Sequence, residues 1–487
     1  MAAVPKGRTE ETLDPQAWDR MSALGRRMVD DMMEYLRTVR DRPVWRPLPE
    51  SVREAFRRPL PQTPEDVEKV YEEFRKLVLP YPTGNIHPRF WGWVMGNGTP
   101  FAMLADMLAA GLNINQGGGA QSGGLVEMQV VEWAREMMGF PPGASGLLVS
   151  GGSMANLVGL TVARNAQAGF DIRAEGVQGS QRRMTMYASS EVHSSVQKAV
   201  EMLGLGSKSL RLIPVGGKYA IDVDALRRKI SEDRTAGMQP VCVIGCAGTV
   251  NTGAIDDLDS LAALCREEKI WFHVDGAFGA LAALSPDLRG LVKGMELADS
   301  LAFDMHKWMY LPYEVGCTLV RDGAAHHRAF TLTPEYLEHT NRGIAGSEIW
   351  LSDYGVQLSR GFRALKVWMS LKEHGIEKFA RIIRQNVEEA RYLEGLVRRE
   401  PRLELVAPVP LNIVCFRYVG NSRGAVPLNE LNKELLLRLH EGGVAAPSYT
   451  TLGGKYALRV CITNFRSRFE DFDILVREVL RIGKELE

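Results

Sequence analysis

Apolar residues near the start of the chain recur at helical spacing. Met21, Leu24, Met28, Met32, Tyr35 and Leu36 fall three or four positions apart, which predicts an amphipathic helix from Gln16 to about Val39. Asp14-Pro15 offers a cap and a proline at the first helical position. Arg42-Pro43 should end the helix. A proline-rich linker follows, with Pro43, Pro47, Pro49, Pro59, Pro61 and Pro64, then a charged helix from about Glu65 to Val78. A segment this thin cannot own a large core. It is expected to lie on the body of the chain or on a partner subunit.

The middle of the chain alternates short apolar runs with helical patterns. Leu147–Ser150, Met184–Ala188, Val241–Cys246, Ile270–Val274, Ser300–Phe303 and Cys317–Val320 read as strands. Ala155–Ala168, Val192–Leu203 and Leu258–Glu268 read as helices between them. This alternation predicts an α/β fold with a mostly parallel sheet covered on both faces. Ligands on such sheets gather at the carboxyl ends of the strands. From about Gly361 the pattern changes to a long helical region, Phe362 to Arg399, then strands Asn412–Tyr418 and Leu458–Thr463 with helices Leu428–His440 and Phe469–Leu486. The expected organisation is an N-terminal helical dimerisation segment (1–88), a large α/β domain (89–375) and a small C-terminal α+β domain (376–487).

Composition adds bounds. The 487 residues suit two or three domains. Lys plus Arg and Asp plus Glu both number 59, and zero net charge argues against a nucleic-acid partner. The six cysteines, Cys242, Cys246, Cys265, Cys317, Cys415 and Cys461, form no CxxC pair. They read as reduced core thiols of a cytoplasmic protein, with no metal site. No apolar run is long enough to span a bilayer, and the first residues lack the apolar stretch of a secretory signal.

Four short segments carry candidate chemistry. Ser150-Gly151-Gly152-Ser153 lies between a strand and a helix, where glycines and first-turn N–H groups suit an anion. A tight turn alone would look the same. Trp271-Phe272-His273-Val274-Asp275-Gly276-Ala277 ends a strand in an acid, which either caps a helix or faces a ligand. Asp304-Met305-His306-Lys307-Trp308 ends another strand beside a lysine, a residue that attacks carbonyls once desolvated. His193, in Glu191-Val192-His193-Ser194-Ser195, is either a helix-start contact or a catalytic ring.

Together these segments are much more specific than singly. A phosphate loop, a histidine, an acid and a lysine, each after a strand of one sheet, is a layout of pyridoxal 5′-phosphate sites. The chain resembles the group II PLP-dependent amino-acid decarboxylases, the family of the aromatic-L-amino-acid, histidine and glutamate enzymes. The similarity runs from Leu13-Asp14-Pro15 through Met103-Leu104-Ala105-Asp106-Met107-Leu108, His193-Ser194-Ser195, Gly253-Ala254-Ile255-Asp256, His273-Val274-Asp275 and His306-Lys307-Trp308 to Phe362-Arg363-Ala364-Leu365-Lys366.

The resemblance implies the fold-type I transferase scaffold with a central sheet of the seven-stranded type, a homodimer, and decarboxylation of an L-amino acid, with an aromatic substrate as first choice. It implies that Lys307 binds the cofactor covalently, Asp275 pairs with the pyridine nitrogen, and His193 and Ala277 flank the ring. Gly151, Gly152, Ser153 and Ser300 match phosphate-binding positions. Thr249 and His306 match positions near the cofactor. The polar segment Ala324 to Gly346, with His326, His327, Tyr336, His339 and Asn341, is expected to be a mobile lid, and Tyr336 matches the residue that returns a proton to Cα. Trp91, Trp93, Asn113 and Asn115 are expected in the substrate pocket.

Three departures stand out. Asp304 replaces the usual Asn, Met305 the usual Pro, and Gly96 a Thr of the aromatic-acid enzymes. The rival readings are a PLP-dependent C–C lyase of the aldehyde-lyase type and a non-catalytic relative acting as a binding protein.

Overall fold

The computed structural model describes residues 11–332, 342–347, 350–420 and 427–487. They divide into two compact units. One comprises residues 11–42 with Pro47–Pro82, the other Pro43–Arg46 with Thr83–Glu487.

The first unit is built on helices Trp18–Arg37 and Val67–Leu77, with a short helix at Glu50–Ala55. Both expected helices form. The first begins later than Asp14-Pro15 suggests. Its N-cap is Ala17, which makes no side-chain cap bond. The second is capped by Asp66, whose carboxylate accepts the Glu68 N–H. Arg20 bridges Asp66 at 2.6 Å, and the Tyr71 hydroxyl donates to Asp31 at 2.8 Å. Exposed ion pairs such as Arg20–Asp66 contribute little to stability, and the buried apolar set is small: Leu24, Tyr35, Val39, Val52 and Tyr71. Trp18, Met21, Met28, Leu60, Val67 and Val70 stay exposed.

The second unit holds two sheets. The strands, in chain order, are β1 (Phe90–Trp91), β2 (Ser145–Val149), β3 (Met184–Ser189), β4 (Leu210–Ile213), β5 (Gln239–Cys246) and β6 (Trp271–Asp275). They continue with β7 (Ser300–Asp304), β8 (Gly316–Val320), β9 (Leu403–Leu405), β10 (Ile413–Tyr418), β11 (Ala446–Leu452) and β12 (Lys455–Cys461). The large sheet has seven strands in the order β2-β8-β7-β6-β5-β3-β4. Only β8 runs against the others. The carboxyl ends of β2, β3, β5, β6 and β7 therefore open on one edge. Every chemical motif of the large domain follows one of these ends.

Alternation along β6 explains how the sheet is buried on both faces. Phe272 and Val274 pack with Phe278, Leu258 and Leu261, while Trp271 packs with Leu160, Met184 and Ile244 on the other side. Truncating a buried Phe such as Phe272 to Ala costs about 3–5 kcal/mol. The small sheet has the order β1-β11-β12-β10-β9 and is antiparallel except for the β1–β11 pair. Its core contains Trp91, Phe416, Leu458, Val460, Phe472 and Leu475. The expected long helical region is two helices, which meet at Gly375 (φ 66°, ψ 155°) within Arg363–Arg399. Glycine takes that left-handed conformation without steric cost.

Candidate active site

A cavity of about 220 Å³ opens at the carboxyl edge of the large sheet. Trp93, Val94, His193, Cys246, Gly248, Thr249, Val250, Asp275, Ala277, Phe278 and Lys307 line it. Six of the expected site residues, Lys307, Asp275, His193, Ala277, Thr249 and Trp93, thus share one wall system. Cys246 is also among the lining residues, and burial pushes its thiol pKa well up, so it stays protonated and a poor nucleophile.

Asp275 is the best anchored of these groups. It is 5 % exposed. Its Oδ1 accepts the Ala277 N–H at 3.1 Å and its Oδ2 accepts Asn156 Nδ2 at 3.1 Å. Asn156 Oδ1 in turn accepts His273 Nε2 at 2.9 Å. That nitrogen must carry the proton, because an amide oxygen only accepts. His273 Nδ1 then accepts from Ser300 Oγ at 2.8 Å, and Ser300 Oγ accepts Trp271 Nε1 at 2.8 Å. Burial lowers the His273 pKa to about 3, so the ring is neutral. The second proton of Asn156 Nδ2 goes to Ser195 Oγ at 3.2 Å, and Ser195 Oγ reaches His193 Nδ1 at 2.8 Å. His193 also caps helix Ser194–Met202 by accepting the Ser195 N–H. The helix-start contact and the cavity position thus coexist in one residue.

Lys307 reaches the cavity from the turn after β7. Its Nζ lies 2.7 Å from Asp304 Oδ2. His306 Nδ1 accepts the Val315 N–H at 3.1 Å, and its ring packs on Tyr313. Burial lowers its pKa. His306 holds this turn and does not line the cavity. Gly151 and Gly152 open helix Gly152–Gln167 beside Asp304. A Cβ on Gly152 would meet Asp304 Oδ2 at 2.8 Å, so a larger residue would displace the acid. Ser153 follows in the first helical turn. Gly96 is explained by the same segment. A Cβ there would sit 2.2 Å from the His306 carbonyl oxygen and 2.6 Å from that of Lys307, so a Thr cannot fit this backbone.

Several expected residues lie elsewhere. Ser300 opens β7, whereas Asp304 and the cavity lie at the other end of that strand, and its hydroxyl is spent on His273 and Trp271. Trp91 is a core residue, stacked on Phe472 and donating its indole N–H to Ser467. Asn113 takes a left-handed cap conformation at the end of helix Pro100–Leu112. Asn115 Oδ1 accepts the N–H groups of Gly117 and Arg360. Neither lines the cavity. The start of the expected lid is a helix, Gly323–Phe330, capped by Asp322. Its His326 is buried between Ser145 and the Tyr354 carbonyl. Tyr336, His339 and Asn341 lie outside the described residues.

The pattern missed Asn156 and Arg459. Asn156 is polar three positions after Ser153, on the face that turns to the sheet, and that spacing was the available signal. Arg459 interrupts the apolar run Ala457–Cys461 of β12. It is 3 % exposed. Its guanidinium donates to the carbonyls of Trp93, Val250 and Asn251, at 2.7 Å, 2.7 Å and 3.2 Å, and to Ser448 Oγ at 3.1 Å. Nη2 reaches no oxygen acceptor. A buried cation without a carboxylate partner among the described residues is the chemical opposite of a substrate carboxylate.

The donor set suits pyridoxal 5′-phosphate. A fixed, buried carboxylate, a lysine amine and a glycine turn at a helix start meet at one edge, matching its ring nitrogen, aldehyde and phosphate. Asp304 is the one ill-fitting charge. The family model described as "Pyridoxal-dependent decarboxylase conserved domain" matches residues 49–419. The aromatic-L-amino-acid decarboxylase of Bacillus atrophaeus is 34% identical over 475 residues, covering 96% of each chain. The phenylacetaldehyde synthase of Arabidopsis thaliana is 29% identical, covering 93% of each. The solved structure of Oryza sativa TDC with PLP and tryptamine superposes with a TM-score of 0.89 at 27% identity, over 97% of this chain and 99% of that one. A family match that runs through both the glycine turn and the lysine turn carries the reaction with the fold: the chain belongs to the pyridoxal-dependent decarboxylases and is a PLP-dependent amino-acid decarboxylase.

Proposed function

We propose that the substrate is an aromatic L-amino acid, converted to its amine and CO2 by a cytoplasmic homodimer. The observation that carries the substrate class is the cavity wall. Beside Lys307 and Asp275 stand Trp93, Val94, Val250 and Phe278, an apolar and aromatic lining that suits a flat apolar side chain. Arg459, joined to the carbonyls of Trp93 and Val250, supplies the positive charge that orients the substrate carboxylate.

The bound cofactor supplies an electron-poor ring that takes up the electron pair left at Cα when CO2 departs. Lys307 would hold the aldehyde carbon through Nζ. Asp275, fixed by Asn156 and Ala277, keeps a proton on the ring nitrogen. His193 and Ala277 would confine the ring, Thr249 would border it, and Gly151, Gly152 and Ser153 would take the phosphate with first-turn N–H groups. Buried Phe278 would keep water from that wall of the cavity, and Trp93 stands at its exposed rim.

The dimer is supported by unpartnered apolar surface. Helix Pro100–Leu112 exposes Phe101, Met107, Leu108 and Leu112, and the first unit exposes Trp18, Met21 and Met28. Such surface is covered in stable proteins. The cytoplasmic reading rests on six buried free thiols. No helix among the described residues is long and apolar enough to cross a membrane.

The test is CO2 release from a panel of L-amino acids by the PLP-loaded protein, with sizing of the same sample. Tryptophan, tyrosine, phenylalanine or a hydroxylated relative should lead the panel. Glutamate or another acidic substrate leading it overturns the aromatic assignment. An active species of one-chain mass overturns the dimer.

A further inference from the structure

Asp304 closes β7 under the glycine turn, 1 % exposed. Its Oδ2 is 2.7 Å from Lys307 Nζ, and its Oδ1 has no hydrogen-bond partner. A Cβ on Gly152 would lie 2.8 Å from Oδ2, and one on Gly316 would lie 2.7 Å from Oδ1. The carboxylate therefore presses on the same backbone that is suited to a phosphate. The other titratable groups facing it are His306, with Nε2 at 3.9 Å, Tyr313 and Cys317 from the following loop and β8, and His193 across the cavity. Burial pushes the Tyr313 hydroxyl up to about 12, raises the Cys317 thiol and lowers His306, so all three are neutral near pH 7. Lys307 is the charged group that Asp304 touches.

Two demands meet at this pair. An ammonium has no lone pair, so Lys307 must lose a proton before it attacks an aldehyde. A carboxylate beside a phosphate is repelled, so Asp304 must lose its charge before a phosphate settles on the glycine turn. We propose that a single proton transfer from Lys307 to Asp304 meets both demands as the cofactor enters. This rests on the reading that Lys307 and the Gly151–Ser153 turn hold the cofactor.

The step balances within the pair and the cofactor. Ammonium and carboxylate become amine and carboxylic acid. The Nζ lone pair bonds to the aldehyde carbon, the carbonyl oxygen leaves as water with the two remaining Nζ hydrogens, and a carbon–nitrogen double bond remains. Asp304, now neutral, donates its O–H to a phosphate oxygen. An Asn at this position gives the phosphate an N–H donor at once but takes no proton from the lysine. The acid and the amide thus solve the phosphate contact differently, and only the acid activates the lysine.

The experiment measures cofactor capture by the apoprotein. Wild type and Asp304→Asn are mixed with PLP from pH 6.5 to 8.5. The rate is followed by absorbance, and borohydride reduction with peptide mass analysis locates the bond. Wild type should capture at a rate that changes less than about threefold over this range. Asp304→Asn should be slower by about tenfold or more at pH 7 and should gain nearly tenfold per pH unit, as for a lysine that must shed its proton to solvent. Capture moves one proton within the pair and releases none, so wild-type affinity for PLP should stay nearly constant over this range.

The proposal is overturned if Asp304→Asn matches the wild-type rate at each pH. It is also overturned if wild type itself gains tenfold per pH unit, a result that needs no variant to fold. Reduction that traps the cofactor on another lysine overturns the assignment of Lys307 instead.

Discussion

Asn156 donates one amide hydrogen to Asp275 Oδ2 at 3.1 Å. The same amide accepts from His273 and, through Ser195, reaches His193. A single side chain in the second turn after Gly151 thus fixes both the acid and the histidine of the cavity. The carboxylate of Asp275 is thereby held in one orientation by two donors.

Asp275→Asn keeps the size of the side chain and removes its charge. The neutral amide no longer favours a proton on the ring nitrogen. The expected loss of transition-state stabilisation is about 2–4 kcal/mol, or roughly a hundredfold or more in kcat. Cofactor content should persist, measured by absorbance after desalting. Near-normal turnover would assign Asp275 to capping the turn at Ala277.

Lys307→Ala removes the amine expected to bind the aldehyde. Borohydride treatment of the loaded wild type should add the mass of reduced pyridoxal phosphate to the peptide that carries residue 307. The variant should show no such adduct and no steady turnover. An adduct at full stoichiometry on the variant, with activity retained, would point to a different lysine.

The strand ends were legible because each large-sheet motif follows an apolar run that folds as expected, as at Trp271–Asp275 and Ser300–Asp304. Trp91 misled because aromatic character does not say which side of a strand is core. Its indole is stacked inside the small sheet, while Trp93, two positions on, has φ 50° and faces the cavity. β11 was missed because Ala446-Pro447-Ser448-Tyr449-Thr450-Thr451 has a proline at its second position and lacks a continuous apolar run, and pairing with β12 supplies what its own pattern does not. Arg459 was missed for the opposite reason. Its strand was evident, but partners as distant in sequence as Trp93 and Val250 cannot be read from local spacing.

His326 makes acid stability partly testable. Burial lowers its pKa to about 4, below the ordinary value of 6.5. The unfolded chain therefore takes up the proton first as pH falls. Its contribution is fully present above 6.5 and is lost as pH falls toward about 4. Buried Asp256, raised to about 6 by desolvation, acts with the opposite sign over part of this range, so the comparison must be differential. The Tm advantage of wild type over His326→Gln should be largest at pH 7.5 and shrink steadily by pH 5. An advantage that is constant across this range would mean that the ring titrates alike in both states.

Tyr336→Phe should separate two steps that the wild type joins. Loss of CO2 draws on the cofactor, Lys307 and Asp275, none of which this change touches. Cα must then regain a proton, and the phenol at residue 336 is the acid expected there from the resemblance. Without it Cα stays electron-rich for longer and becomes open to dioxygen. With O2 and water the products are aldehyde, ammonia and peroxide in place of the amine. The relation to a phenylacetaldehyde synthase makes this partition worth measuring in the wild type as well. CO2, amine, aldehyde and peroxide should be counted in one reaction under air. The variant should release more CO2 than amine, with aldehyde and peroxide making up the difference, and the gap should close under nitrogen. If amine still accounts for all the CO2 at the wild-type rate, the proton comes from another group, and His193, which lines the cavity, becomes the residue to change next.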